Sequence, residues 1–205
     1  MAPKYKLTYF NAKGTAEPIR FLLFYGKIEF EDVRIESPEK WSSMKTSTPF
    51  GQVPLLEIDG KKMHQSIAIC RYLGRKLGLA GENDWESAQI DMAVDTVLDL
   101  RTKLSEFYWE PDEAVKQRKK TTALNETLPF FLGRLDALVK ENGGYLAAGK
   151  LSWGDFFFAG ISEYMNCVAQ FDITKDYPNL AALKKKICEI PAIKDWISRR
   201  PASDL

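Results

Sequence analysis

Histidine is nearly missing from this chain of 205 residues: His64 stands alone. A histidine-rich zinc site is therefore excluded, and any Ser-His or Cys-His nucleophile would have to use that one residue. Beside Met63, at the end of a predicted strand, His64 reads as a packed or hydrogen-bonded structural residue. Cysteine is almost as sparse. Cys70, Cys167 and Cys188 are odd in number and widely spaced, and they form neither a C-x-x-C nor a metal-ligand cluster. No metal site is expected, and a reduced, cytoplasmic compartment fits best. Long apolar runs are lacking too: nothing approaches the roughly 20 residues that span a bilayer, and the opening MAPKYKLTYF has no signal-like apolar core. Charge of one sign is not in excess, with 29 basic and 28 acidic side chains and a formal net charge of +1. Neither nucleic acid nor an anionic membrane surface is an expected partner.

What is present is ample material for a core: apolar residues make up 45% of the chain and aromatic residues 12% of it, which argues against disorder. The first eighty residues mix strand and helix patterns. Lys4–Phe10 alternates, with Tyr5, Leu7 and Tyr9 on one face. Ala16, Ile19, Leu22 and Leu23 recur at helical spacing, and Gly26 can end that helix. Phe30–Ile35 reads as a second strand, and Pro38–Thr48 as irregular with one or two helical turns. Asp59-Gly60 supplies a two-residue turn between strands Leu55–Ile58 and Lys61–His64. A helix Ser66–Leu77 follows, with Ser66 as N-cap and Gly78 as stop. The order is β-α-β-α-β-β-α. After the stretch GLAGEND no further strand pattern occurs. Asp84 is the expected N-cap of a long helix, Pro129 a bend in the next, and Ser152–Asp155 a capping box ahead of an apolar central helix. The expected layout is residues 1–79, a linker at 80–84, and an all-helical domain at 85–205, with a ligand cleft between the two domains.

One stretch raises a chemical question: PFGQVPLLEIDGKKMHQSIAICRYL. A cis Val53-Pro54 bond would turn the N–H and C=O of Val53 toward a cleft, where they could pair with an extended peptide. The same proline also fits the first residue of an edge strand, and taken alone that is the better reading. Gln65-Ser66 shifts the balance. A helix N-terminus with a hydroxyl and an amide suits a carboxylate. A backbone clamp and a carboxylate pocket one hairpin apart describe a site for a small acidic peptide.

These residues resemble the glutathione-binding half of the cytosolic glutathione transferases. The opening YKLTYFNAKGTAEPIR is similar to the sigma class, which includes haematopoietic prostaglandin D synthase, and most closely to its insect members. NGGYLAAGKLSWGDFFF and PAIKDWISRRP resemble the helical domain of that family. The resemblance covers the whole chain. It implies a thioredoxin-like α/β domain followed by an all-α domain, a homodimer, and glutathione as co-substrate.

The resemblance also assigns residues. Tyr9 donates its O–H to the glutathione sulfur. A free thiol ionises near pH 8.5, so a hydrogen bond to the anion and a nearby helix N-terminus both raise the thiolate fraction. Trp41 and Lys45 hold the glycyl end. Gln52 and Val53, ahead of Pro54, clamp the cysteinyl part, and Gln65 and Ser66 hold the γ-glutamyl end. Asp91, Asp95 and Asp99 share a helix face; Asp91 reads as solvated, and Asp99 matches the aspartate that reaches the glutathione amino group of the other subunit. Candidates for the electrophile pocket are Phe10, Ala12, Gly14, Thr15, Arg101, Tyr108, Phe157 and Leu205. Two departures stand out. Thr15 replaces an arginine of the vertebrate prostaglandin synthases, and Leu98-Asp99 replaces their paired aspartates, which are linked to a divalent ion. The implied activity is attack of a glutathione thiolate on small apolar electrophiles, including lipid-peroxidation aldehydes and hydroperoxides. Alternatives are a prostaglandin D synthase-type isomerase, a ligand carrier, or a crystallin-like structural protein.

Overall fold

In the computed structural model, which describes residues 3–203, the alternating run Tyr5–Phe10 forms strand β1. Leu205 lies outside the described residues. Strand β1 runs parallel to β2 (Phe30–Ile35), with Tyr5 opposite Phe30. It runs antiparallel to β3 (Leu55–Ile58), with Thr8 opposite Leu55. Strand β4 (Lys61–His64) closes the sheet in the order β2-β1-β3-β4. Asp59 and Gly60 both take positive φ, 48° and 81°, as a two-residue hairpin turn requires. Helix α1 (Glu17–Tyr25) crosses from β1 to its parallel neighbour, and α2 (Pro38–Lys45) is two turns long, started by the Ser37 hydroxyl accepting from Lys40 N–H.

Helix α3 spans Ser66–Lys76, and here the expected cap is one residue off. Gln65, at φ 71°, holds the N-cap position, so Ser66 is the first helical residue. Neither side chain caps the helix end, so the first-turn N–H groups stay available. A similar shift occurs at α4 (Asp84–Tyr108): Asn83, not Asp84, accepts Glu86 N–H at 2.9 Å. An amide oxygen outside the helix captures the donor while Asp84 serves the positive helix end.

Helix α5 (Glu113–Thr122) passes through a π-helical turn, Ala123–Thr127, into α6 (Leu128–Glu141). Proline 129 has no N–H for the Asn125 carbonyl, and the wider turn instead joins Leu128 N–H to the Ala123 carbonyl. Helix α7 (Trp153–Ala169) is the buried centre of the helical half, flanked by α8 (Pro178–Cys188) and α9 (Pro191–Arg199), each with proline in its first turn. The capping box at Ser152–Asp155 forms. Asp155 is fully buried and accepts from Leu146 N–H and Ser152 N–H, both at 2.7 Å, and from the Ser152 hydroxyl at 3.1 Å.

The two halves share one continuous core. A Cβ at Gly160 would sit 2.7 Å from the Pro18 nitrogen, so only glycine lets α7 press onto the start of α1. A buried charge network reinforces that contact. Arg20 bonds Glu17 at 3.0 Å, the Ala12 carbonyl at 2.9 Å and Asp32 at 3.2 Å. Glu17 also accepts from Trp196 Nε1 and Arg200 Nη1, both at 2.8 Å. The Asp91 expectation needs correction: its carboxylate is not merely solvated but pairs with Arg71 of α3 at 2.8 Å, tying α4 to the sheet half. No helix among the described residues is long and apolar enough to cross a membrane.

Candidate active site

Tyr9 is the fifth residue of β1, where the strand delivers its side chain toward the start of the helical half. The loop Asn11–Lys13 and a short 3-10 turn, Gly14–Ala16, then fold back over its hydroxyl. Gly14 has φ 41°, and a Cβ there would fall 2.5 Å from Tyr9 Oη. This close approach lets the Thr15 N–H and the Thr15 hydroxyl both donate to Tyr9 Oη, at 3.3 and 3.2 Å.

In front of Tyr9 lies a cavity of about 320 Å³. Its polar wall follows the sequence closely. Gln52, Val53 and Pro54 form one side, with the Val53-Pro54 peptide cis and outside the ladder that starts at Leu55. His64, Gln65 and Ser66 form the other, where the uncapped end of α3 points its free N–H groups. The third side comes from α4 through Leu98 and Arg101, one helical turn apart, with Ile67 between the two walls. The Arg101 guanidinium lies over the Tyr164 ring, 4.8 Å from its centroid. Unpaired N–H groups, a helix N-terminus and a hydroxyl donor around one hollow suit a ligand with an anionic end and an extended peptide middle.

The structure brings together Tyr9, Thr15, Gln52, Val53, Pro54, Gln65, Ser66 and Arg101 on this cavity. Other sequence candidates sit apart from it. Trp41 is half-buried on α2, edge-on to the Phe10 ring with centroids 5.4 Å apart, and Lys45 lies against Gly51, next to Gln52. Ala12 gives its carbonyl to Arg20, and Gly14 backs Tyr9 without lining the cavity. Tyr108 stands at the end of α4 against Trp109. Asp99 points to solvent. Phe157 is 0% exposed inside α7. It is a core residue, not a pocket wall: Phe157 and both its neighbours Phe156 and Phe158 are fully buried. His64, Ile67 and Leu98 are the cavity residues that sequence reasoning did not select. Their signals were adjacency to Gln65-Ser66 and the one-turn spacing of Leu98 from Arg101.

Two of the chain's own thiols, Cys70 and Cys188, are poor nucleophiles. Burial pushes the Cys70 thiol far up, and burial with the nearby Glu163 carboxylate pushes Cys188 up to about 11. Among the described residues no group of three metal-binding side chains occurs. None of the three cysteines lines the cavity, so a reactive sulfur there belongs to the ligand.

Comparison with known proteins matches residues 5–75 to the glutathione S-transferase N-terminal domain and residues 98–200 to the glutathione S-transferase C-terminal domain. A glutathione S-transferase of Anopheles gambiae is 45% identical over 203 residues, covering 99% of this chain and all of that one. Glutathione S-transferase S1 of Drosophila melanogaster is 44% identical over 201 residues, covering 98% of this chain and 80% of that one. The solved structure of prostaglandin synthase D of Nilaparvata lugens superimposes with a TM-score of 0.93 at 50% identity, covering 98% of this chain and all of that one.

Proposed function

The chain belongs to the glutathione S-transferase family, with glutathione as its co-substrate, and from that premise we propose that the cavity beside Tyr9 holds glutathione with its sulfur at the tyrosine hydroxyl. The observation that carries this is the position of Tyr9 Oη on the same hollow as Val53, Gln65 and Ser66. The Val53 backbone pairs with the cysteinyl part. Gln65, Ser66 and the N-terminus of α3 receive the γ-glutamyl carboxylate. Lys45 meets the glycyl end, with Trp41 as a flat wall, and Gln52 stands beside Val53 at the clamp. The thiol loses its proton to solvent and Tyr9 O–H stabilises the sulfur anion. Toward an unsaturated aldehyde an S–C bond forms as the C=C π bond breaks, and solvent protonates the enolate. Toward a hydroperoxide the O–O bond breaks to leave an alcohol, a second glutathione completing the disulfide with release of water.

Leu98 and Ile67 give the space beside the sulfur an apolar wall, and Arg101 gives it a polar end. That mixture favours small apolar electrophiles carrying an oxygen, such as lipid-peroxidation aldehydes and hydroperoxides. The assignment to the sigma class, a detoxifying role and a cytoplasmic location are part of this reading. The resemblance to a prostaglandin synthase supports a second activity, isomerisation of a prostaglandin precursor by the same thiolate. The deciding experiment is an ultraviolet titration of glutathione bound to the protein. Ionisation well below the free value of about 8.5 supports the proposal, and an unshifted titration removes it.

We propose further that the working form is a homodimer. Phe50 is 71% exposed on the sheet half, its ring tilted against that of His64 with centroids 4.8 Å apart. A hollow of about 270 Å³ between α4 and α6, lined by Thr96, Phe130 and Leu138, offers an apolar surface for a second copy. Asp99 faces away from its own cavity, in keeping with service to the partner's. Phe50→Glu is expected to convert a dimer into monomers in sedimentation velocity at micromolar concentration. A wild-type protein that sediments as a monomer overturns this part.

A further inference from the structure

We propose that Thr15 is a positioning residue for thiol activation: its two hydrogen bonds to Tyr9 Oη turn the tyrosine proton toward the cavity. This rests on the reading of Tyr9 given above. A phenol oxygen carries one proton and accepts through its lone pairs. Thr15 N–H and Thr15 Oγ1–H approach Tyr9 Oη at 3.3 and 3.2 Å and occupy the acceptor side. The proton is left with the remaining direction, and Tyr9 lines the same cavity as Val53, Gln65 and Ser66.

The pair of donors also polarises the phenol. A hydroxyl that accepts hydrogen bonds becomes a stronger donor, because the bonds in a chain reinforce one another. A negative sulfur in front of Tyr9 gains from that more than a neutral thiol does, so the effect falls on the ionised form. A hydroxyl and a backbone N–H thus do, through Tyr9, part of what a cation beside the sulfur would do directly.

The loop is built to hold this geometry. Gly14 permits the turn at φ 41° and lets the backbone touch the Tyr9 ring. The buried Arg20 pins the Ala12 carbonyl at 2.9 Å, three residues before Thr15. The Gly160 contact fixes Pro18, three residues later. Thr15 is therefore held between two anchors, and its hydroxyl has a fixed partner.

The test compares Thr15→Val, Thr15→Ser and Tyr9→Phe in the full-length protein. Thr15→Val keeps the branched shape and the N–H but removes the hydroxyl. The bound glutathione thiol is titrated in the ultraviolet, and kcat/KM is followed against pH with a chromogenic aryl halide. Thr15→Val is expected to raise the thiol pKa by about half a unit to one unit, a fall of roughly 3- to 10-fold in thiolate at pH values below the wild-type pKa. KM for glutathione should hold steady, and the rate loss should vanish once the pH exceeds the shifted pKa. Thr15→Ser should behave as wild type. A Thr15→Val titration that overlays wild type overturns the inference. So does a rate loss equal at every pH that serine fails to restore, which is what a merely structural role predicts. If Tyr9→Phe leaves the titration unmoved, the Tyr9 reading fails and takes this inference with it. If Tyr9→Phe shifts it and Thr15→Val does not, only the inference about Thr15 falls.

Discussion

Tyr9→Phe is expected to raise the pKa of bound glutathione by about one to two units and to slow conjugation roughly 10- to 100-fold at pH values below the wild-type thiol pKa. The substitution is nearly isosteric. The ring keeps its edge contact with Phe10, at 5.6 Å between centroids, and only Oη is lost. Two donors from Thr15 then lose their shared acceptor, but both lie near the cavity and can turn to water. Glutathione should still bind, because the α3 N-terminus and the Val53 backbone are untouched. The loss therefore belongs to kcat and to the pH profile, with recovery at alkaline pH where the thiol ionises unaided. Stopped-flow ionisation and steady-state rates measure it. Equal rates at every pH for mutant and wild type would sink the assignment.

Asp155→Ala is expected to destabilise the fold by about 3 kcal/mol at mildly acidic pH, since two buried N–H groups lose their only acceptor at about 1–3 kcal/mol each. Those groups are Leu146 N–H and Ser152 N–H. The size of the loss depends on pH, and its sign can be worked out. Burial raises the Asp155 carboxyl to about 6, with the Leu146 and Ser152 bonds holding it back. A carboxyl raised in the folded state binds its proton more tightly than in the unfolded chain, where the ordinary value is 3.8. Its protonation therefore stabilises the fold fully below about 3.8 and stops doing so as pH rises through about 6. The alanine variant lacks that contribution. The gap between wild type and variant should thus be about 1 kcal/mol wider at pH 5 than at pH 8. Urea unfolding at the two pH values tests both claims. A gap that widens toward alkaline pH overturns the account of Asp155.

Much of the fold could be read locally. The β1 alternation, the Asp59-Gly60 turn and the first-turn prolines of α8 and α9 each follow from neighbours in sequence. The polar cavity wall was legible for the same reason: Gln52, Val53, Gln65 and Ser66 lie within one hairpin of each other. What sequence could not show were long-range relations. Arg71 and Asp91 are 20 residues apart and carry no local signal of pairing. Phe157, a pocket candidate by sequence, lies in the core, because its exposure is decided by what packs around α7. The caps at Gln65 and Asn83 were missed by one position, since a neighbouring polar residue offered an equally good cap on paper. The bonds from Thr15 to Tyr9 depend on the backbone at Gly14, which composition does not reveal.

The helix α4 has no spare side. Val94, Val97, Leu100 and Leu104 face the core, Leu98 and Arg101 the cavity, and Asp95 and Asp99 the solvent. Inserting or deleting one residue would rotate everything beyond it by about 100°, exchanging aspartates for valines at the core. The π-helical turn Ala123–Thr127 is the opposite case: a helix there already carries a residue more than an α-turn needs. Changes of chain length within this architecture should therefore gather at 123–127 and spare the middle of α4, so that the protein can drift in length without ever losing the phase that aims Leu98 and Arg101.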